Sequence, residues 1–209
     1  MRAGSLRRGV TAVLVGSLAV AGCSGNGGDD ARRPTATVAT EPATTTTTGV
    51  PVDQVPAVID VAYVQRVIDA LDRVEGDAVR ELVRARVPNR EFYERIRAIY
   101  LDPQFQRVQE SYGLSAAANL STLVENPGDP ATRIERLITA SSECIFATDI
   151  RDFGPILKVQ PDEATKRAYI ALGRKDPALD PSALNPTAWM IGFDGVTETG
   201  EEPRNPCVA

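Results

Sequence analysis

The hydrophobic pattern changes period part-way along the chain, and this change limits the folds open to it more than any other feature. Before Asp129 apolar side chains recur at three- and four-residue steps, and after it they alternate. A period near 3.6 puts one stripe on a helix and a period of 2 puts one face on a strand, so the two halves must supply different layers to one core. Val58, Val61, Val64, Ile68 and Leu71 form the first stripe, with Asp53 and Pro56 marking its start and Gly76 its stop. Asp77 is placed to cap a short second helix with Val79, Leu82 and Val83 inside, ended by Pro88. Asn89 caps a third, carrying Phe92, Ile96 and Ile99; Asp102 and Pro103 open a fourth, carrying Phe105 and Val108 and closing at Gly113.

Residues 134–141 are rich in β-branched and aliphatic side chains. In 144–153, Cys144, Phe146, Thr148 and Ile150 face one way and Ile145, Ala147, Asp149 and Arg151 the other. In 166–173, Ala168, Ile170 and Leu172 oppose Arg167, Tyr169 and Ala171, and in 187–193 Thr187, Trp189, Ile191 and Phe193 share a face. The expected fold class is α+β, with N-terminal helices packed on a curved antiparallel sheet in a single domain over 55–209.

Residues 1–22 read as an export signal. Arg2, Arg7 and Arg8 form a positive head, and 10–20 is apolar apart from Thr11, Gly16 and Ser17. The apolar run is about 13 residues, short of the roughly 20 that span a bilayer core as a helix. Val20, Ala21, Gly22 and Cys23 resemble the lipobox of bacterial lipoproteins, which implies a diacylglycerol thioether on Cys23 and cleavage before it. An ordinary signal also accepts small residues before its cut, but it does not call for the cysteine. Arg7 and Arg8 also permit a twin-arginine route, although Val10 is the only hydrophobic residue closely following the pair.

From 23 to 54 the chain is mostly glycine, threonine, alanine and proline, with threonine throughout 44–48. Such a segment buries too little surface to offset its ordering entropy and is expected to be a disordered tether reaching on the order of 30 Å. Losing the first 22 residues removes three arginines and no acid, taking the formal charge from -5 to -8. An acidic chain without a basic tract has no electrostatic footprint for nucleic acid, so membrane contact falls to the lipid. The expected location is the extracytoplasmic face of the cell membrane.

With Cys23 acylated, Cys144 and Cys207 remain, and an exported compartment favours their pairing. Closing that loop of about 63 residues restricts the unfolded chain by roughly 4 kcal/mol on the entropic model. A redox role would call for closely spaced thiols beside a positive helix end, a context this pair lacks.

The order of a helix, a short helix introduced by Gly76 and Asp77, and a bent sheet resembles the nuclear transport factor 2-like superfamily, the cone-shaped domain shared with ketosteroid isomerases and polyketide cyclases. The run Ala70, Leu71, Asp72, Arg73, Val74, Glu75, Gly76, Asp77, Ala78 is similar to the turn between its first two helices. The resemblance covers about residues 56 to 209. It implies a cavity where the sheet curls around the first helix. In the superfamily's enzymes it also implies an aspartate or histidine base there, with a tyrosine or a protonated acid stabilising an enolate. The chain contains no histidine. Asp149 or Asp152 as base, with Tyr169 as donor, is the set that this resemblance leaves; the plainer reading makes these aspartates exposed cross-strand partners of Arg151 and Arg167. Trp189 belongs to the core or to the cavity wall.

Absence of histidine excludes the Ser-His-Asp and Cys-His arrangements and histidine zinc sites. The run 113–117 lacks the second glycine of a nucleophile elbow, no serine precedes a lysine by three positions, and no glycine loop is built to cradle phosphate. Asp194, Glu198, Glu201 and Glu202 lack the regular oxygen spacing of a calcium loop, so no metal or other cofactor is expected. The expected function is a lipid-anchored, non-enzymatic module that binds a small apolar ligand or another envelope protein. The alternative is a cavity enzyme of isomerase or cyclase type using an aspartate base. A two-lobed solute receptor would also suit the lipobox, but it needs a longer chain than the roughly 154 folded residues here.

Overall fold

A computed structural model of the protein describes residues 49–159, 168–195 and 202–208. The signal-like segment, Cys23 and most of the expected tether lie outside these residues. The first helix, α1, is Val61–Ala85, and Asp60 caps it by accepting a hydrogen bond from the Tyr63 backbone N–H at 2.7 Å. Asp53 and Pro56 therefore do not mark its start. Val58 precedes the helix and is 77% exposed, whereas Val64, Ile68 and Leu71 are fully buried. The last residues assigned to the tether are docked on the domain: the Val52 carbonyl accepts from the Ala188 N–H at 2.9 Å and the Gln54 carbonyl from the Tyr63 hydroxyl at 2.7 Å.

Gly76 and Asp77 separate no helices, because α1 runs straight through them. A Cβ at position 76 would meet Asp129 Oδ1 at 2.2 Å and both Asp129 Cα and the Gly128 carbonyl oxygen at 2.9 Å, so this glycine is where the 128–129 turn presses on the helix. That closeness explains a residue that weakens a helix by about 1 kcal/mol. Asp77 does not cap. It pairs with Arg80 at 2.7 Å, and Arg80 reaches Asp129 at 2.9 Å, holding the turn against Gly76. The helix stops at Arg86, which is left-handed at φ 63°, with Pro88 two residues on.

Helix α2, Arg90–Ile99, is capped by Asn89 as expected, and its Phe92, Ile96 and Ile99 are fully buried. Helix α3, Gln104–Ala117, receives no side-chain cap; Asp102 pairs instead with Arg97 at 3.0 Å, and the helix continues past Gly113.

Among the described residues four strands follow: β1 Ala131–Ala140, β2 Cys144–Asp152, β3 Ala168–Arg174 and β4 Trp189–Gly195, all antiparallel in the order β1-β2-β3-β4. Register shifts interrupt β1 at Ile134/Arg136 and Leu137/Thr139 and β4 between Ile191 and Phe193, and such irregularities add bend and twist; the last one pairs Phe193 with Ala171, so it does not share the face of Ile191 as the alternation predicted. One face meets the helices, where Ile134, Ile145, Ala147, Ile170, Leu172 and Ile191 join the α1 and α2 core. On the other face Phe146 stacks on Tyr169 at 5.8 Å, and the C-terminal segment is fixed by the Cys144–Cys207 disulfide and by Asn205 donating to Thr139 Oγ1 at 2.7 Å.

Both sheet edges are occupied. Gln65 and Asp72 of α1 bond the outward backbone groups of Thr132 and Ile134 on β1, and the Leu101 N–H bonds the Ile191 carbonyl on β4 at 2.9 Å. The class is α+β. Among the described residues no helix is long and apolar enough to cross a membrane.

Two glycine substitutions separate packing from helix propensity. Gly76→Ala is expected to destabilise the protein by about 1–3 kcal/mol through the clash. Gly113→Ala, which meets open space, should stabilise by up to about 1 kcal/mol. Urea unfolding of both variants checks the pair, and equal signs would contradict the role given to Gly76.

Candidate functional site

The inward face of β2 is apolar at Ile145 and Ala147 and then becomes charged at Asp149 and Arg151. Facing it, the buried stripe of α1 carries Asp72 and Glu75 one turn apart, 3% and 2% exposed. These two interruptions meet. Arg151 Nη2 donates to Asp72 Oδ1 at 3.1 Å and to Glu75 Oε2, while its Nη1 donates to Asp194 of β4 and to the Tyr100 hydroxyl at 3.3 Å. Tyr100 and Tyr112 donate to the two Glu75 oxygens at 2.6 and 2.8 Å. Asp72 also accepts from the Thr132 N–H at 2.8 Å and its hydroxyl at 3.2 Å. The guanidinium lies 4.8 Å from the Phe153 ring centre. One side chain, itself 3% exposed, thus links α1, β2, β4 and the connection between α2 and α3.

Four carboxyl groups, Asp72, Glu75, Asp149 and Asp194, share this neighbourhood with one guanidinium. Burial pushes Asp72 up to about 6, with Arg151 opposing and Glu75 reinforcing the shift. Burial pushes Asp149 up to about 7, reinforced by Asp194 and opposed by Arg151. Among the described residues neither Asp149 oxygen has a hydrogen-bond partner, which agrees with a carboxyl that readily keeps its proton. Burial, together with the adjacent Glu75, raises Tyr100 and Tyr112 well above the ordinary phenol range, so both stay donors. Burial works against the charge on Arg151, yet Glu75, Tyr100, Asp194 and Asp72 together hold it well above the ordinary guanidinium range.

Beside the cluster is a cavity of about 350 Å³. Glu75, Tyr100, Gln104, Arg151 and Asp194 line its polar side, and Val108, Phe153, Ile156 and Leu157 its apolar side.

The expected site residues are not brought together. Asp149 is fully buried on the helix-facing side of the sheet and is not among the residues lining this cavity. Asp152 is exposed at the end of β2 and accepts from the Gly154 N–H at 2.7 Å. Tyr169 is on the opposite face, stacked on Phe146. Arg151 is not an exposed cross-strand partner but the centre of the cluster, and Arg167 lies outside the described residues. Trp189 is a core residue, fully buried, with its Nε1 donating to the Tyr63 hydroxyl at 2.8 Å, and it does not line this cavity. The cysteine pairing expected for Cys144 and Cys207 is present, with Cα atoms 5.5 Å apart.

Of the C-terminal acids, Asp194 pairs with Arg151, Glu202 lies 4.0 Å from Arg136, and Glu198 and Glu201 fall outside the described residues. Among the described residues no group of three or more metal-ligating side chains forms. Asp72, Glu75, Tyr100 and Tyr112 were not anticipated. Two acids interrupting an apolar helical stripe, and an arginine continuing an apolar strand face, were the available signal. Comparison of the chain with family models, with curated proteins and with solved structures finds no match.

A carboxyl whose folded pKa is raised binds its proton more tightly in the folded state. Its stabilising contribution is complete below the unfolded value, near 4, and is lost as pH rises through the folded one. Stability is therefore expected to fall between pH 5 and pH 8 as Asp72, at about 6, and Asp149, at about 7, ionise. Asp149→Asn should flatten the upper part of that fall and be more stable than wild type at pH 8 by on the order of 2 kcal/mol, the relief of a buried charge exceeding the cost of an unpaired amide. Thermal unfolding of both proteins at pH 5, 6.5 and 8 checks this; a wild-type optimum at pH 8 would contradict it.

Proposed function

We propose that the protein is anchored by lipid on Cys23 at the extracytoplasmic face of the cell membrane and acts there as a non-enzymatic binding module. The cavity beside Arg151 takes a small ligand with an apolar body. The lipobox-like residues 20–23 support the anchor. A volume of about 350 Å³, with one apolar and one polar wall, suits a small molecule.

One observation carries the preference for binding over catalysis. Both carboxylates that line the cavity, Glu75 and Asp194, are ion-paired with Arg151, and Glu75 accepts from two tyrosines as well. A general base has to be free to take a proton from its substrate. The isomerase or cyclase alternative draws on Asp149, a buried carboxyl pushed up to about 7, but that group is set apart from the cavity wall. The nuclear transport factor 2-like cone remains our proposal for the fold's affinity. Helices on one face of an irregular antiparallel sheet and a cavity beside them support it, and the loss of the expected turn at Gly76 and Asp77 removes the local motif.

Native mass spectrometry of the protein taken from its own envelope tests both halves of the proposal. The expected mass includes a diacylglycerol on Cys23 and one non-covalently held small molecule, the latter lost in Val108→Trp, which fills the cavity. An unmodified thiol at Cys23 would contradict the anchor. Absence of any bound molecule, or equal retention by Val108→Trp, would contradict the cavity.

A further inference from the structure

We infer that the cavity selects an organic cation, a protonated amine on an apolar body, with its ammonium hydrogens on Asp194 and Gln104 and its body against Val108, Ile156 and Leu157. The inference rests on the reading of this cavity as a ligand site and adds the chemistry of the head group.

The polar wall has acceptors to spare. Asp194 lines the cavity, its Oδ2 pairs with Arg151, and among the described residues no donor reaches its Oδ1. Gln104, the first residue of α3, also lines the cavity while only 7% exposed, and among the described residues its Oε1 has no hydrogen-bond partner. A buried acceptor without a donor is unfavourable, and a ligand N–H removes the deficit.

Charge points the same way. Glu75 and Asp194 on the wall, with Asp72 directly behind, outnumber the single guanidinium among them. Arg107 also borders the cavity, but it is solvent-exposed, and water and salt screen it more strongly than the buried acids. The aromatic side chains of Tyr100, Tyr112 and Phe153 also border the cavity and add to its apolar surface. A neutral alcohol would satisfy Gln104 yet leave the charge surplus, and a carboxylate would add to it.

The test uses three probes on one aryl body, 2-phenylethylammonium, 2-phenylethanol and phenylacetate, titrated by calorimetry into the full-length chain at pH 7.5. The ammonium is expected to bind about tenfold more tightly than the alcohol, with phenylacetate weakest. Asp194→Asn should weaken the ammonium about tenfold and the alcohol less than about threefold, while Gln104→Met, which keeps length and removes the acceptor, should weaken both. The second variant leaves the Arg151 ion pairs untouched, so it stands if Asp194→Asn fails to fold. Alcohol binding as tightly as ammonium, or phenylacetate binding tightest, would overturn the cation preference and leave the cavity reading in place. Failure of all three to bind would overturn both.

Discussion

The guanidinium of Arg151 carries a full charge to a place almost closed to water, and the arrangement of the rest of the domain follows from how that charge is compensated. Removing such a group from water costs several kcal/mol even after relaxation, and only close, well-directed partners offset it. Those four partners come from three elements. Asp72 and Glu75 set the rotation of α1 about its own axis, Asp194 sets the end of β4, and Tyr100 sets the connection that leads into α3. Asp72 then extends the constraint to β1 by taking the Thr132 N–H, so the clamp also closes a sheet edge.

This polar clamp occupies one end of an interface whose other end is ordinary apolar packing. Moving back along β2 from Arg151 to Ile145, and along α1 from Glu75 to Val64, the contacts pass from charged to aliphatic within about three turns of helix. Apolar packing tolerates small rotations of a helix, whereas a bonded carboxylate does not, so the clamp gives the layer its unique orientation. It also accounts for the cavity. Tyr100 and Tyr112 are held upright by their bonds to Glu75, and the space between them and Phe153 is left open instead of collapsing. On the far face the Cys144–Cys207 bond and Asn205 secure the C-terminal segment independently of this cluster.

Period alone made much of the architecture legible. The alternation in 144–153 placed Ile145, Ala147, Asp149 and Arg151 on one face, which is the face that meets the helices, and Asn89 announced α2. Gly76 misled because a glycine is read by default as a backbone stop, whereas its role is a close contact with Asp129, far along the chain and invisible to local rules. Asp102 misled because a carboxylate before a proline suits a cap, and a neighbouring arginine drew it away. The site was harder. Asp72 and Glu75 read as solvated positions on an amphipathic helix until a partner is known to face them, and that partner is 76 residues from Glu75 in sequence. Tyr169 was a reasonable donor by type, but strand parity put it across the sheet from Arg151.

If Arg151 organises the domain, its loss should strand the acids it serves, and their neutralisation should restore part of what is lost. Denaturant unfolding of Arg151→Met and of Arg151→Met with Glu75→Gln, at pH 7.5, measures this directly. The account predicts that the single change costs about 3–5 kcal/mol and that the second substitution recovers a substantial part of it. A single variant within about 1 kcal/mol of wild type, or a double variant no more stable than the single, would contradict it.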